Sequence, residues 1–245
     1  MKNILIIFVM LISSSPLYAK DVMKFAYAFS SPPICWEENK EMRGILIDIV
    51  NEAVRKRMGI SVSHDGYPWK RAQYMVRKGE ADALITNGPL REEWAEHGNE
   101  VAFMFEQKLY AKAGGSKLDQ LKKVKNLEDL RPFELIDERG GGWSKKNLID
   151  NNFKVQLAGD HETIYRMLAR GRADANINSA HLARYIIKKL GLQEQIVELA
   201  TMESVPFHLV VGKKSPYTKV IPEFDETIRQ MKKDGSLQKI SDKYR

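Results

Sequence analysis

The sequence predicts an α/β protein of two similarly built lobes, and three observations carry that reading. Strand-like and helix-like segments alternate with Gly punctuation, as in βαβ units around a mostly parallel sheet. The stretch Met75-Val76-Arg77-Lys78-Gly79-Glu80-Ala81-Asp82-Ala83 recurs, 92 positions on, as Met167-Leu168-Ala169-Arg170-Gly171-Arg172-Ala173-Asp174-Ala175. Finally, 245 residues of which 43% are hydrophobic and 29% charged give the composition of a globular protein with room for two small cores. Fibrous and disordered classes are excluded on composition. With one long apolar run, a protein of many membrane spans is excluded too.

That run, Ile4 to Ile12, follows Lys2 and leads into Ser13-Ser14-Ser15-Pro16-Leu17-Tyr18-Ala19. A basic start, a short apolar core and a small closing residue describe a secretory signal over residues 1–19, cleaved after Ala19. No Cys follows the cleavage point, so no lipid anchor is expected there. A strand from Met23 to Ala28 opens the mature chain. Leu46, Ile49, Val50, Ala53, Val54 and Met58 then form a helical stripe, with Gly59 placed to cap its end. Ile60 and Val62 alternate as in a strand. Pro68 opens a second helix faced by Trp69, Ala72, Met75 and Val76 and closed by Gly79, and Ala81 to Thr86 reads as the next strand.

The second half repeats this grammar. A strand near Phe133 to Ile136 precedes the Gly140-Gly141-Gly142 turn, a helix from about Ser144 and a strand from Lys154 to Ala158. Asp160 is placed to cap the helix bearing Ile164, Met167 and Leu168. After the strand Ala173 to Asn178 comes a helix with Leu182, Tyr185, Ile186 and Leu190, ended by Gly191. Phe207 to Val211 reads as a strand, Ile221, Phe224, Ile228 and Met231 as a helix, and Asp234-Gly235 as the turn into a last helix capped by Ser236.

The formal charge is +7, but the basic residues sit in pairs such as Lys122-Lys123 and Lys232-Lys233 without interleaved aromatics, and read as solvated helix faces; nucleic acid is not an expected partner. Cys35 is the one cysteine, so no disulfide forms within the chain. The phosphate loop, the dinucleotide fingerprint, paired CxxC sites and the zinc helix are all absent, and the five histidines show no ligand spacing; no metal or cofactor is expected. Gly142-Trp143-Ser144-Lys145-Lys146 lacks the final Gly of a nucleophile elbow.

One pattern spans nearly the whole mature chain. Ser31-Pro32-Pro33-Ile34-Cys35-Trp36, Gly44-Ile45-Leu46-Ile47-Asp48-Ile49, Pro68-Trp69, Gly79-Glu80-Ala81-Asp82-Ala83 and a tail in which Lys233-Asp234-Gly235 leads to an Ile240-x-x-x-Tyr244 helix follow one another in order. Together they resemble the family 3 solute-binding proteins, the amino-acid type of periplasmic receptor for ABC transporters. The resemblance implies a type II periplasmic-binding-protein fold: a monomer of two α/β lobes, 21–108 plus 211–245 and 109–210, with a hinge and a ligand cleft between them. It further implies a periplasmic location, an ABC permease of the inner membrane as partner, no membrane insertion after signal cleavage, and binding without catalysis.

The same resemblance places the site. In members that bind α-amino acids, an Arg after the first Gly-x-x-Asp-Ala strand holds the carboxylate and an Asp after the second holds the ammonium. Here those positions fall on Trp94 and Ser179. Arg91 stands one helical turn before Trp94 and is expected as the anion contact; Asp160 can supply negative charge or cap its helix. Trp36, Trp69, Trp94 and Trp143 fall on segments the family turns toward the cleft, with packing in the lobe cores as their other reading. Thr86, Asn87 and Ser144 complete the expected ligand-binding set. The rival reading is a dehydratase-like enzyme on the same scaffold, with Glu93, Asp160 or His181 as its acid; a stand-alone sensory binding protein is a third.

Overall fold

Two strands, neither read at full length in the sequence, organise the molecule. In a computed structural model that describes residues 22–139 and 142–244, β8 (Phe103–Lys112) runs antiparallel to β12 (Ile196–Gly212), and this ladder passes through both halves of the protein. The expected signal segment, Gly140 and Gly141 lie outside the described residues.

On one side of the ladder β12 pairs through His208–Val211 with β6 (Ala83–Thr86), which is followed by β1 (Met23–Ala28) and β5 (Val62–Tyr67), the last three mutually parallel; β7 (Ala95–His97) adds to the far edge of β12. On the other side β8 pairs with β11 (Ala175–Ser179), followed by the parallel strands β9 (Leu135–Glu138) and β10 (Val155–Ala158). Each half is thus three parallel strands closed by one antiparallel crossing strand. Each also buries its own core, one built on Phe25, Ile49, Leu209 and Phe224, the other on Leu109, Leu130, Leu135 and Ile177. The molecule is two α/β lobes joined by a two-stranded hinge.

The repeated motif has a structural basis. Gly79 caps its helix and Gly171 directly follows the cap residue Arg170 of its own, both in the left-handed region at φ of 82° and 71°, where a side chain would be strained. In each copy the Asp that follows takes the backbone N–H leading into the neighbouring parallel strand. Asp82 accepts from Lys24 at 2.8 Å and Asp174 from Glu134 at 2.8 Å. One sequence phrase therefore closes a helix, turns the chain and ties it to the next strand, once in each lobe.

The helices follow their apolar stripes. α1 (Ile45–Val50) continues in a wider π-helical stretch, Asn51–Arg57, and buries Leu46, Ile49, Val50, Ala53 and Val54 as the periodicity requires. α2 (Trp69–Lys78) buries Ala72 and Val76, with Pro68 standing one residue before it as its cap. The short α3 (Leu118–Leu121) and α4 (Gly142–Ser144, prolonged by Lys145–Ile149) cover the second core. α5 (His161–Ala169) is capped by Asp160, whose carboxylate accepts from the Thr163 N–H at 2.7 Å as expected. α6 (Ala180–Lys189), α7 (Ile221–Lys233) and α8 (Ser236–Asp242) complete the chain. Ser236 does not cap α8: Gly235, at φ 76°, holds the cap position, and the Ser236 hydroxyl accepts from Arg57 instead.

A small sheet of β2 (Ser30–Ser31), β3 (Cys35–Glu38) and β4 (Glu41–Arg43), unmarked in the sequence reading, hangs over the first lobe. Its Asn39-Lys40 turn has positive φ at both residues, 52° and 65°, the two-residue hairpin that matches strand twist.

Candidate functional site

Parallel α/β sheets present their ligand-binding loops at the carboxyl ends of the strands. Here the ends of β6 and β11 deliver Thr86 and Asn178-Ser179 to the space between the lobes, and two adjoining cavities open there, sharing Ser31, Ile34 and Phe105.

The first cavity, about 290 Å³, belongs mainly to lobe 1 and is largely apolar. Tyr27, Cys35, Leu46 and Ile85 form its wall, Trp69 at the start of α2 its rim, and Phe105 and Phe207 of the hinge its floor. Those two phenyl rings stack at 5.6 Å with 2° between planes. Cys35 is buried, and burial pushes its thiol up to about 12, so it is a neutral, unreactive wall of the cavity at neutral pH.

The second cavity, about 890 Å³, lies between the lobes. Lobe 2 contributes Glu138 from the end of β9, Asp160 and His161 from the start of α5, and Asn178 and Ser179 from the end of β11. These form a linked set. The Asn178 amide bonds His161 Nδ1 at 3.3 Å, His161 Nε2 lies 3.4 Å from the Glu138 carboxylate, and Asn178 Oδ1 accepts the Ser179 N–H at 2.8 Å. The Ser179 hydroxyl is buried, with no hydrogen-bond partner among the described residues; neither has the Gln107 side-chain oxygen, which reaches the same cavity from the hinge.

The residues singled out from the sequence divide. Trp69, Thr86 and Ser179 line the cavities. Arg91 and Asn87 stand behind that lining. The Arg91 guanidinium lies 5.7 Å from the Trp69 ring centroid and donates to the Gln73 side-chain oxygen at 3.3 Å and the Asn87 carbonyl at 3.4 Å, and burial lowers its pKa. Trp36 meets Tyr244 edge-on at 6.2 Å, and Trp94 packs against the Ala72, Val76 and Leu84 cluster of lobe 1. Trp143 packs on the second core and donates its indole N–H to Glu203, with Ser144 buried beside it. Trp36, Trp94, Trp143 and Ser144 line neither cavity.

Of the three acids of the enzyme reading, only Asp160 reaches the cleft. Glu93 is exposed and paired with Arg77 at 3.1 Å. His181 lines a third cavity, of about 310 Å³, with Met104 and Glu106. Successive strand residues point to opposite faces, so Met104 and Glu106 look away from the side that Phe105 and Gln107 share with the cleft. There the His181 Nε2 meets Ser241 Oγ at 3.3 Å, linking α6 to α8 behind the hinge.

With this architecture established, the sequence profile of the bacterial extracellular solute-binding proteins, family 3, matches residues 23–245. The chain belongs to this family. It is 24% identical, over 95% of its length and 87% of the other's, to the probable amino-acid-binding protein YxeM of Bacillus subtilis strain 168. Among solved structures it is similar to the second substrate-binding domain of Lactococcus lactis GlnP in open conformation, with a TM-score of 0.67, 21% identity, and 92% and 96% of the two chains covered. It is likewise similar to a histidine kinase sensor domain resembling periplasmic binding proteins, with a TM-score of 0.64, 19% identity, and 91% and 95% covered. Among the described residues no helix is long and apolar enough to cross a membrane.

Proposed function

We propose that this family member is a periplasmic receptor that closes its lobes over a small polar solute, an amino acid or a related compound, and presents it to an ABC permease of the inner membrane. The observation that carries this reading is the cleft itself, a cavity of about 890 Å³ whose walls come from both lobes and whose back is the two-stranded hinge. A ligand touching both walls binds the closed arrangement better than the open one and shifts the population accordingly, with no covalent step. The receptor acts as a monomer released by cleavage after Ala19. Its first lobe takes in 21–108 and the C-terminal segment. The crossing on β12 is best drawn near Ser204 to Phe207, upstream of residue 211, because Leu209 and Val210 pack into first-lobe clusters. Trp69, Thr86 and Ser179 touch the ligand, and Arg91 with Asn87 holds the Trp69 ring in place.

The test is a thermal-shift screen of the mature protein over amino acids, polyamines and organic acids, followed by small-angle scattering with the best hit. A saturable stabilisation accompanied by a smaller radius of gyration supports a closing receptor. Conversion of the hit to product, lost on substituting Asp160, would establish the enzyme instead. A second reading, a sensory binding protein, is favoured by the likeness to a histidine kinase sensor domain; co-purification of a permease from membranes separates the two.

A further inference from the structure

The charge lining the cleft is one-sided. Glu138, Asp160 and Glu162 supply three carboxylates, while the one lining lysine, Lys189, is paired with Glu162 at 2.8 Å and His161 leans on Glu138. The cation that a carboxylate ligand would need stands back from the cleft: Arg91 directs its two terminal nitrogens to Asn87 and Gln73, leaves its Nε unpartnered among the described residues, and lines neither cavity. Beside the acidic wall, Ser179 is 5% exposed and its hydroxyl has no partner among the described residues. It can accept an N–H from whatever occupies the cavity. The adjoining chamber offers the opposite chemistry, with the Tyr27, Ile34, Leu46, Ile85 and Phe207 side chains around Trp69.

From this juxtaposition we infer that the cleft selects a ligand with a cationic amine facing Glu138, Asp160 and Ser179 and an apolar or aromatic body seated in the chamber under Trp69, and that no carboxylate on the ligand is needed. The inference rests on the receptor reading above and narrows its solute to amphipathic amines. The physical case is a balance of desolvation. A carboxylate brought against Glu138 and Asp160, with Lys189 already held by Glu162, loses its water without gaining an unpaired counter-ion. An ammonium gains charge-assisted hydrogen bonds to the same groups. Its apolar body is drawn into the first chamber, where little polar surface competes for it.

The experiment uses the mature chain and a matched set sharing one body: 2-phenylethylamine, phenylalanine and 3-phenylpropionate, with butylamine and the twenty amino acids alongside, titrated by calorimetry. The amine is expected to bind at least 10-fold tighter than the acid, with Glu138→Gln weakening the amine by about 10- to 100-fold, the loss of one charge-assisted bond, and leaving the acid unchanged. Ser179→Ala, a smaller change that leaves the fold intact, should weaken the amine about 3- to 10-fold, the size of one neutral hydrogen bond. If phenylalanine or phenylpropionate binds more tightly than the amine, or if both variants bind the amine as wild type does, the amine inference is overturned while the receptor reading stands. If no member of the panel binds, both fall.

Discussion

The hinge ladder is pinned by a charge cluster whose contribution can be worked out. Glu198 on β12 accepts from Arg184 Nε at 2.7 Å and Nη2 at 2.6 Å, from Lys108 Nζ on β8 at 2.8 Å, and from the Tyr110 hydroxyl at 3.1 Å. Burial alone would raise the pKa of Glu198, but the bonds from Arg184 and Lys108 outweigh it and hold the group at about 2, against an ordinary 4.5. The side chain keeps 26% of its exposure, so solvent screening reduces what the shift is worth, and about 1–2 kcal/mol of stability at neutral pH is a fair figure. Glu198→Gln should therefore lower the unfolding free energy by about 2 kcal/mol at pH 7.5, the excess coming from two half-buried cations left without their counter-ion. A depressed carboxyl pKa stabilises above the unfolded value and loses that stabilisation as pH falls through the folded one. The gap between wild type and variant, measured by urea unfolding, should thus narrow by about 1 kcal/mol between pH 5 and pH 3.5. A gap that is the same at both pH values, or no gap at pH 7.5, would refute the assignment of this cluster as the clamp of the ladder.

Other consequences are independent of that one. Trp69→Ala should weaken the cleft ligand about 10-fold in calorimetry while leaving the urea midpoint nearly unmoved, because Trp69 is already 39% exposed and supports little of the core. Cys35, the one thiol of the chain, lines the apolar chamber. Its alkylation by iodoacetamide, followed by mass, should be slow and should slow further, at least 5-fold, with saturating ligand, since occupancy denies the reagent its path; unchanged labelling would place the ligand elsewhere. His64 bonds the Tyr27 hydroxyl at 3.0 Å and Asn51 at 3.1 Å, and burial, with Arg55 nearby, lowers it to about 4 from 6.5. The unfolded chain then binds more protons between those values, so stability falls as pH drops from 6.5 toward 4. His64→Gln should flatten that part of the pH–stability curve, and the His64 ring should titrate near 4 by NMR.

What the sequence discloses, and what it hides, follows from how local each cause is. The Gly-x-x-Asp-Ala phrase is legible because every part of it acts within a few residues: a left-handed Gly ends a helix, and an Asp binds the backbone beside it. The same holds for Asp160, whose capping bond spans three positions. The 17-residue β12 is illegible beyond Phe207–Val211 because between Val197 and Phe207 it is half-buried or exposed with no fixed inner face, and its partner β8 lies far off in sequence. The tryptophans mislead for a related reason. A ring brought near the cleft by its segment still has an apolar face to bury, and Trp94 and Trp143 find neighbours inside their own lobes. The aromatics that do floor the cleft, Phe105 and Phe207, carry no local mark; only the register that sets Phe105 against Val205 and Phe103 against Phe207 stacks them there.

The same distinction bears on where the molecule can gain free energy. Buried polar atoms lacking a partner are few in a folded protein, each costing about 1–3 kcal/mol. Among the described residues, Gln107 Oε1 and Ser179 Oγ lack one at the cleft, and Asn87 Oδ1 lacks one behind it. Gln107 and Ser179 line the cleft, with Asn87 directly after the lining residue Thr86. Gln107 and Ser179 are register partners on β8 and β11, so the two open atoms belong to one stretch of the second-lobe sheet. A ligand in the cleft can satisfy both, and the free energy it recovers adds to its affinity. Binding and closure become one event only for a ligand that also touches the first-lobe lining residues Trp69 and Thr86, because only such a ligand binds the closed arrangement better than the open one.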